Sequence, residues 1–364
     1  MGFKCGIVGL PNVGKSTLYN ALTQSKIEAA NYPFCTIEPN IGIVPLPDKR
    51  LDQLADLVQP AQVIPTTMKF VDIAGLVAGA ASGEGLGNKF LAHIREVQAI
   101  AHVVRCFDDL EITHVAGKVD PIADIETIDT ELCLADLESV AKAIAKAEKI
   151  AKSGDKEARA RLTALAAINT HLSEHGALRS GFEADEATAA VMADLQLLSA
   201  KPMLYVANVY EDALHDSPYV DVVRAYAAER NAEVIVVCAA IEAELSELDA
   251  EDKASFLADL GLGESGLDRL IRIGYGVLGL QTFFTAGPKE VRAWTVHAGA
   301  CAQEAAGVIH TDFIKGFIRA EVVGFADYIT HQGEVGAKEA GLWKLEGKEY
   351  VVADGDVIFF RVNG

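Results

Sequence analysis

The chain has 364 residues, half of them hydrophobic, and a formal net charge of −20 at pH 7. This length allows two or three globular domains, and the acidic balance argues against non-specific binding to DNA or an anionic membrane, because long-range repulsion opposes both. The six cysteines form no C-x-x-C pair and no apolar run has the length of a membrane span, which excludes a zinc ribbon, a disulfide framework and a membrane-spanning protein. No signal peptide precedes the first predicted strand, so we expect a cytoplasmic protein.

The first predicted elements surround a phosphate-binding loop. Residues 3–8 are predicted to form a buried strand, residues 9–14 a tight loop, and the residues from Lys15 a helix, and the loop matches G-x-x-x-x-G-K-[ST]. In this context backbone N–H groups converge on a β-phosphate at the positive end of a helix. Lys15 is expected to reach the β- and γ-phosphates and to act in catalysis, and Ser16 to bind Mg²⁺. The predicted nucleotide-binding residues of the loop are Asn12, Val13, Gly14, Lys15, Ser16 and Thr17.

Two further stretches are typical of nucleotide switches. Thr36 lies in a loop between the first helix and the second strand, where a threonine senses the γ-phosphate through Mg²⁺, although an ordinary loop threonine is the alternative. Asp72 ends a predicted strand, which places its carboxylate where an α/β sheet binds ligands, so we expect it to join the Mg²⁺ site. The amide of Gly75 is expected to approach the γ-phosphate. Leu76 follows, where a Ras-like enzyme carries the water-orienting glutamine.

The missing glutamine directs attention to other residues. Residues 76–90 contain several glycines. Because glycine leaves the backbone conformationally free, we predict that this segment becomes ordered only with a ligand or partner. His114 follows a strand in a polar loop and is the candidate for positioning the attacking water, with a solvated loop histidine as the alternative.

Two later stretches occupy the place of base-recognition motifs. The predicted strand 203–209 runs into Asn208, Val209 and Glu211, where a GTPase carries Asn-Lys-x-Asp. Valine replaces the lysine and the longer glutamate replaces the aspartate that accepts the two guanine donors, so we expect a preference for ATP over GTP. Cys238 and Ala239 are predicted to form the small-residue loop against which the base lies, and a plain β-turn is the alternative.

Apolar residues recur at three- and four-residue steps through residues 124–200, with a break at 153–155. This pattern predicts an antiparallel helical hairpin that projects as a coiled-coil arm, either as a structural addition or as a docking arm for a partner. From residue 281 the sequence alternates in the manner of strands, which predicts a small β-grasp domain. Its basic residues form either a patch that contacts RNA or a scatter of solvated charges.

The motifs together are more specific than any one of them. The quoted stretches are Gly-Leu-Pro-Asn-Val-Gly-Lys-Ser-Thr at 9–17, Asp-Ile-Ala-Gly-Leu-Val-x-Gly-Ala at 72–80, Gly-Glu-Gly-Leu-Gly-Asn-Lys-Phe-Leu-x-His-Ile at 83–94, Asn-x-x-Glu at 208–211 and Gln-Thr-Phe-Phe-Thr-Ala-Gly-x-Lys-Glu-Val-Arg-Ala-Trp-Thr at 281–295. With them the chain resembles, over essentially its whole length, the YchF family of Obg-like P-loop NTPases.

The resemblance implies an α/β fold with three parts. These are a discontinuous Ras-like P-loop domain at 1–122 and 201–280, a helical coiled-coil insertion at 123–200, and a β-grasp domain of the TGS type at 281–364. It also implies an ATP-preferring hydrolase that associates with ribosomes, works with Mg²⁺, and uses a histidine at the position of His114 in place of the missing glutamine. Asn12 is the residue type that the resemblance links to potassium, which adds K⁺ as an expected cation.

The sequence therefore predicts a slow ATPase switch that binds ATP and ADP, associates with the ribosome in translation or stress regulation, and is monomeric without a specific DNA partner. A GTP-dependent switch is the first alternative. The second is a binding regulator whose hydrolysis is incidental. A P-loop kinase for small molecules fits less well, because Thr36 and Asp72 are switch elements and no lid for a second substrate is evident.

Overall fold

A computed structural model of the chain describes residues 3–24, 40–73, 86–109, 114, 117–152 and 155–363. The chain divides into two compact units. The first comprises Met1–Val44 and Lys69–Leu270, and the second comprises Pro45–Met68 and Ile271–Gly364. In the described part of the chain, no helix is both long enough and apolar enough to cross a membrane.

The described ranges contain both strands and helices. The strands are β1 (Lys4–Val8), β2 (Ile41–Pro45), β3 (Gln62–Ile64), β4 (Thr67–Asp72), β5 (Ala99–Arg105), β6 (Met203–Asn208), β7 (Val234–Val237), β8 (Leu280–Ala286), β9 (Glu290–His297), β10 (Phe317–Gly324), β11 (Lys344–Glu346) and β12 (Asp356–Val362). The helices are α1 (Lys15–Gln24), α2 (Lys49–Val58), α3 (Leu86–Arg95), α4 (Pro121–Ala151), α5 (Lys156–Glu174), α6 (Glu186–Leu195), α7 (Pro218–Ala228), α8 (Ala239–Leu245), α9 (Ala250–Asp259), α10 (Gly266–Val277), α11 (Ala302–Ile309), α12 (Thr311–Gly316), α13 (Phe325–Thr330) and α14 (Glu334–Glu339).

The first unit is built on a sheet with the strand order β2-β4-β1-β5-β6-β7. Neighbouring strands from β4 to β7 are parallel, and β5 and β6 are buried at every position, as expected for a parallel sheet covered on both faces. Because parallel strands end at the same edge, the strand ends Val8, Asp72, Arg105, Asn208 and Val237 lie there. This edge is where open α/β sheets bind ligands.

Residues 121–195 of the first unit form the three helices α4, α5 and α6. Val140 of α4 packs in one buried cluster with Leu165 and Ile168 of α5, as the apolar spacing predicted. The end of α4 and the start of α5 line one cleft, and the start of α4 and the end of α5 line another. The two helices are therefore antiparallel, as predicted, and their projection as a coiled-coil arm stays a prediction.

The start of α4 differs from the predicted domain boundary at residue 123. The helix begins at Pro121, and the Asp120 carboxylate caps it by accepting a 3.2 Å hydrogen bond from the Ala123 N–H. Ile125 is fully buried, and the helix packs on β5 and α7. The first turns of α4 thus belong to the core around the sheet, and the hairpin grows from that core without a break in the helix.

The second unit is built on a mixed sheet with the strand order β11-β10-β12-β8-β9-β3. Strands β8 and β9 pair antiparallel, whereas β12 lies parallel to β8. One apolar cluster joins the sheet to α2, α13 and α14, and a second joins it to α11. Strands packed on helices agree with the β-type module predicted from residue 281, and its assignment as a β-grasp domain stays a prediction.

Residues 45–68 lie in the second unit, although the sequence-based boundaries assigned them to the nucleotide domain. Strand β3 pairs parallel with β9, joining Val63 to Val291, and Leu54 of α2 packs against Phe284. These pairings join residues that are more than two hundred positions apart, so local periodicity does not show them.

A histidine is buried in the middle of the first sheet. His102 of β5 is fully buried, and neither ring nitrogen has a hydrogen-bond partner within the described residues. Burial, with a smaller effect of Arg179, lowers the pKa of His102 to about 3. The imidazole is therefore neutral in the folded protein at every pH above that value.

Replacing His102 with leucine is expected to stabilise the protein by about 1 to 3 kcal/mol near pH 7, because it removes two unpaired polar atoms from the core. The wild type should also lose about 2 to 3 kcal/mol relative to the variant between pH 6.5 and about pH 4.5, because the histidine binds a proton there only when unfolded. Urea unfolding at several pH values measures both effects. Equal pH slopes in the two proteins would contradict this prediction, and His93→Leu on the exposed side of α3 is the control.

Candidate phosphate and nucleotide site

The predicted strand, loop and helix at residues 3–17 are present. Strand β1 ends at Val8, and α1 begins at Lys15. Gly14 has φ +91°, and a Cβ there would overlap the Nδ2 atom of Asn208, while a Cβ at Gly9 would lie 2.7 Å from the Val103 carbonyl oxygen. Both glycines are therefore required for the loop to lie this close to the neighbouring strands.

Lys15 and Asp72 form an ion pair at the carboxyl edge of the sheet. The lysine side chain is 10% exposed and the aspartate side chain 22% exposed, so both charged groups are largely shielded from water. Burial, assisted by the nearby Asp72 carboxylate, raises the pKa of Tyr19 on the next turn of α1. The loop lysine and the strand-end aspartate, predicted separately from the sequence, are thus brought together.

The residues at this point suit Mg²⁺. Ser16 is exposed on the first turn of α1, next to the lysine that contacts Asp72. A hydroxyl and a carboxylate are ligands that Mg²⁺ prefers, and this ion is usually held by one or two protein groups together with phosphates and water. Among the described residues no group of three or more His, Cys, Asp and Glu side chains is arranged to hold a metal ion. This donor set therefore fits a Mg²⁺ ion that arrives with a nucleotide better than a resident metal.

Asn208 ties the phosphate loop to a second loop. Its Nδ2 donates a 2.9 Å hydrogen bond to the carbonyl of Val13, and its Oδ1 accepts a 3.0 Å hydrogen bond from the Ala239 N–H. The side chain is buried. Asn208, predicted to contact the base, thus fixes the position of the two loops between which a nucleotide would lie.

Replacing Asn208 with alanine is expected to destabilise the protein by about 3 kcal/mol, because a buried backbone carbonyl and N–H both lose their partner. The affinity for nucleotide should also fall by about 10-fold, because the phosphate loop is no longer held in place. Chemical denaturation and nucleotide titration measure the two effects separately. A variant with reduced stability and unchanged nucleotide affinity would contradict the positioning role.

The other predicted base residues differ in exposure. Glu211 is exposed at the start of a short 3₁₀ turn, whereas the side chain of Val209 is buried and its N–H donates to the Val237 carbonyl. Burial, with smaller effects of Glu211 and Glu242, raises the pKa of the Cys238 thiol. Glu211 therefore lies close enough to Cys238 to affect the pKa of its thiol, and the buried Val209 side chain packs beneath the turn.

Two aromatic residues at this edge were not predicted. The rings of Phe107 and Tyr210 lie with their centroids 4.9 Å apart, and the Arg105 guanidinium lies 4.6 Å from the Phe107 centroid. Tyr210 is 39% exposed and donates a hydrogen bond to Asp109. The signal in the sequence was the tyrosine inside the Asn-x-x-Glu stretch, which adds a flat π surface beside the base loop.

His114 does not lie in a solvated loop. Its ring is buried, and its Nε2 lies 3.0 Å from the Asp124 Oδ2, on the first turn of α4. Burial raises the pKa of Asp124, and the hydrogen bond from His114 opposes this effect. When Asp124 is ionised it can only accept, so Nε2 then carries the proton. The structure thus pairs the predicted catalytic histidine with a carboxylate that the sequence interpretation did not single out.

Thr36, Gly75 and Leu76 lie outside the described residues. Thr17 is exposed on the first turn of α1, and Asn12 adopts a left-handed conformation with φ +64°. One edge of the sheet therefore brings together the phosphate loop with Lys15, the strand ends at Asp72 and Asn208, and Glu211 with the Cys238 loop. His114 lies beside α4.

Sequence profiles of two families match the chain. Residues 4–133 match a family described as 50S ribosome-binding GTPase, and residues 280–363 match the family YchF-GTPase_C, described as a protein of unknown function. Among relatives named Ribosome-binding ATPase YchF, that of Haemophilus influenzae Rd is 62% identical, that of Escherichia coli O157:H7 59% and that of Bacillus subtilis 168 57%. Each comparison covers all of this chain and all of the relative.

Solved structures agree with this result. The structure of the Schizosaccharomyces pombe YchF GTPase superposes with a TM-score of 0.89 at 38% identity, covering 99% of this chain and 98% of that chain. A GTP binding protein from Pyrococcus horikoshii OT3 superposes with a TM-score of 0.63 at 21% identity, covering 99% and 100%, and this likeness shows the fold alone. Because full-length relatives share 57 to 62% of its residues, the chain belongs to the YchF family.

Proposed function

We propose that this protein is an ATP-binding and slowly ATP-hydrolysing molecular switch that associates with the ribosome and acts in the cytoplasm as a monomer. The observation that carries the proposal is the ion pair of Lys15 and Asp72, because it joins the expected phosphate cation and the expected Mg²⁺ carboxylate at one point. Full-length relatives named as ribosome-binding ATPases support ATP as the nucleotide and the ribosome as the partner.

The phosphates would be held by the loop amides from Asn12 to Thr17 and by the Lys15 ammonium. Ser16 and Asp72, together with Thr36, are the residues that would hold Mg²⁺, whose charge would offset that of the β- and γ-phosphates. Gly75 would offer its amide to the γ-phosphate. Asn12 is the residue beside which K⁺ would act.

The base would lie between the loops that Asn208 connects. Val209 stands in place of the lysine of a GTPase and is buried, and Glu211 is exposed on a turn, which weakens the geometry for the two guanine donors. Adenine does not need that carboxylate. Tyr210 offers a ring face for stacking at this place, a contact that accepts any base. The Cys238 and Ala239 loop would close the other side.

Slow turnover follows from the position of His114. A ring this buried reaches a water at the γ-phosphate only after its contact with Asp124 opens. The proposed switch would therefore hydrolyse ATP slowly by itself, and faster when a partner moves α4 away from His114.

Sedimentation with purified ribosomes tests the proposal. We expect the complex with a non-hydrolysable ATP analogue to bind ribosomes about 10-fold more tightly than the ADP complex, because a switch must bind its partner differently in its two states. A GTP analogue at equal concentration should have little effect. Equal binding with ATP analogue and ADP, or no binding in any state, would contradict the proposed switch.

A further inference from the structure

The end of α4 and the start of α5 have a charge opposite to that of the whole protein. Residues 142–152 and 155–161, here called the arm tip, contain seven Lys and Arg against three Asp and Glu, a net charge of +4. Since the chain as a whole has −20, the remaining residues carry −24. Basic residues therefore outnumber acidic ones at this end of the helical hairpin, whereas the rest of the chain is strongly acidic.

Five of these seven cations form no ion pair with another described residue of the protein. Lys142 pairs with Glu138 and Arg161 with Asp194, each at 2.5 Å. Five others are exposed and have no carboxylate within ion-pair distance among the described residues, namely Lys146, Lys149, Lys152, Lys156 and Arg159. Unpaired like charges that lie close together repel one another, so these cations do not stabilise the hairpin.

Several of these cations lie on a helix that is packed against its neighbour. Lys142, Lys146 and Lys149 follow one another at i, i+4 and i+7, so they line one face of α4. Behind them Ala147 is buried in the cluster that joins α4 to α5. A cleft of about 640 Å³ opens beside Lys142 and Lys146. A partner would therefore meet charges that are already in place and would not have to order a flexible tail.

We propose that the arm tip binds the phosphate backbone of ribosomal RNA. This inference rests on the proposed association with the ribosome and identifies the surface that makes the contact. An acidic protein is repelled by RNA as a whole, so binding requires a local basic surface, and exposed unpaired lysines are what phosphates select. A membrane surface fits less well, because Ile150 is the one large hydrophobic side chain recorded as exposed among the described residues of the arm tip, and an interfacial helix needs an apolar face.

The test compares two variants with the same net charge. In the tip variant Lys146, Lys149, Lys152 and Lys156 are changed to glutamine, which keeps helix propensity. In the control variant four exposed lysines elsewhere, Lys118, Lys338, Lys344 and Lys348, are changed to glutamine. Binding to ribosomes and to naked ribosomal RNA is measured from about 50 to about 300 mM KCl, since each phosphate contact adds to the salt dependence. Both variants should bind ATP like the wild type, because α4 is about 46 Å long and the arm tip lies at its far end.

We expect the tip variant to bind both ribosomes and RNA at least 10-fold more weakly at low salt, with a slope of log K against log salt about 3 less negative than that of the wild type. The control variant should keep at least half of the wild-type affinity. If the wild type binds ribosomes and the tip variant binds equally well, the inference is overturned and the proposed function stands. If the tip variant loses ribosomes while naked RNA never binds, the partner is an acidic protein and not RNA. If the wild type itself does not bind ribosomes, the proposed function fails first.

Discussion

Replacing Lys15 with alanine is expected to lower the affinity for ATP by about 100-fold or more. The ammonium would make charge-assisted contacts with two phosphates, each contributing about 1.5 to 3 kcal/mol. Equilibrium titration with a fluorescent ATP analogue in Mg²⁺ measures the loss.

Two further variants make this result specific. Lys118→Ala removes an exposed lysine from the same unit and should leave the affinity unchanged. The double variant Lys15→Ala with Asp72→Asn also lacks the carboxylate expected to hold Mg²⁺, so it should bind ATP no better than Lys15→Ala. Full recovery of ATP binding in the double variant would mean that Lys15 serves only to neutralise Asp72, which would contradict a direct contact with the phosphates.

Replacing His114 with alanine is expected to lower ATP turnover by about 100-fold while the ATP dissociation constant changes less than about threefold. Positioned proton acceptors or water-orienting groups contribute about 10² to 10⁴ to rate, and His114 has no expected contact with the bound nucleotide in the ground state. Single-turnover hydrolysis and nucleotide titration separate the rate from the affinity. Asp124→Asn replaces the charged partner of His114 with a neutral one, so the contact that must open before hydrolysis is weaker and turnover should not fall.

His93→Ala is the control for this series, because His93 is exposed on α3 of the same unit. Its turnover should equal that of the wild type. Wild-type turnover in His114→Ala would exclude this histidine as the catalytic group. A variant that cannot hydrolyse ATP and yet keeps nucleotide-dependent ribosome binding and cellular function would favour the alternative of a binding regulator whose hydrolysis is incidental.

Local sequence patterns were sufficient to predict the phosphate loop and the residues at the strand ends. Gly9, Gly14 and Lys15 form one short motif between a strand and a helix, and Asp72 ends a strand whose apolar pattern is plain. Because parallel strands end at one edge, the meeting of Lys15 and Asp72 follows from the fold class alone. The helical hairpin was predictable for the same reason, since its spacing repeats within a few residues.

Contacts between distant residues were not predictable from the sequence. Asn208 holds a loop that lies 195 residues earlier in the chain, and β3 completes a sheet whose other strands begin at residue 280. The burial of His114 depends on the first turn of α4, which the apolar pattern placed later. In each case the partner is set by the packing of the whole unit, and no short pattern records it.

Competition binding tests most directly whether this site selects ATP. The purified protein is titrated with a fluorescent ATP analogue in Mg²⁺ and potassium, and unlabelled ATP and GTP are then compared as competitors. We expect ATP to displace the analogue at a concentration at least about 10-fold lower than GTP, a difference of about 1.4 kcal/mol. Equal or tighter binding of GTP would contradict the interpretation of Val209 and Glu211 and would make the protein a GTP-dependent switch.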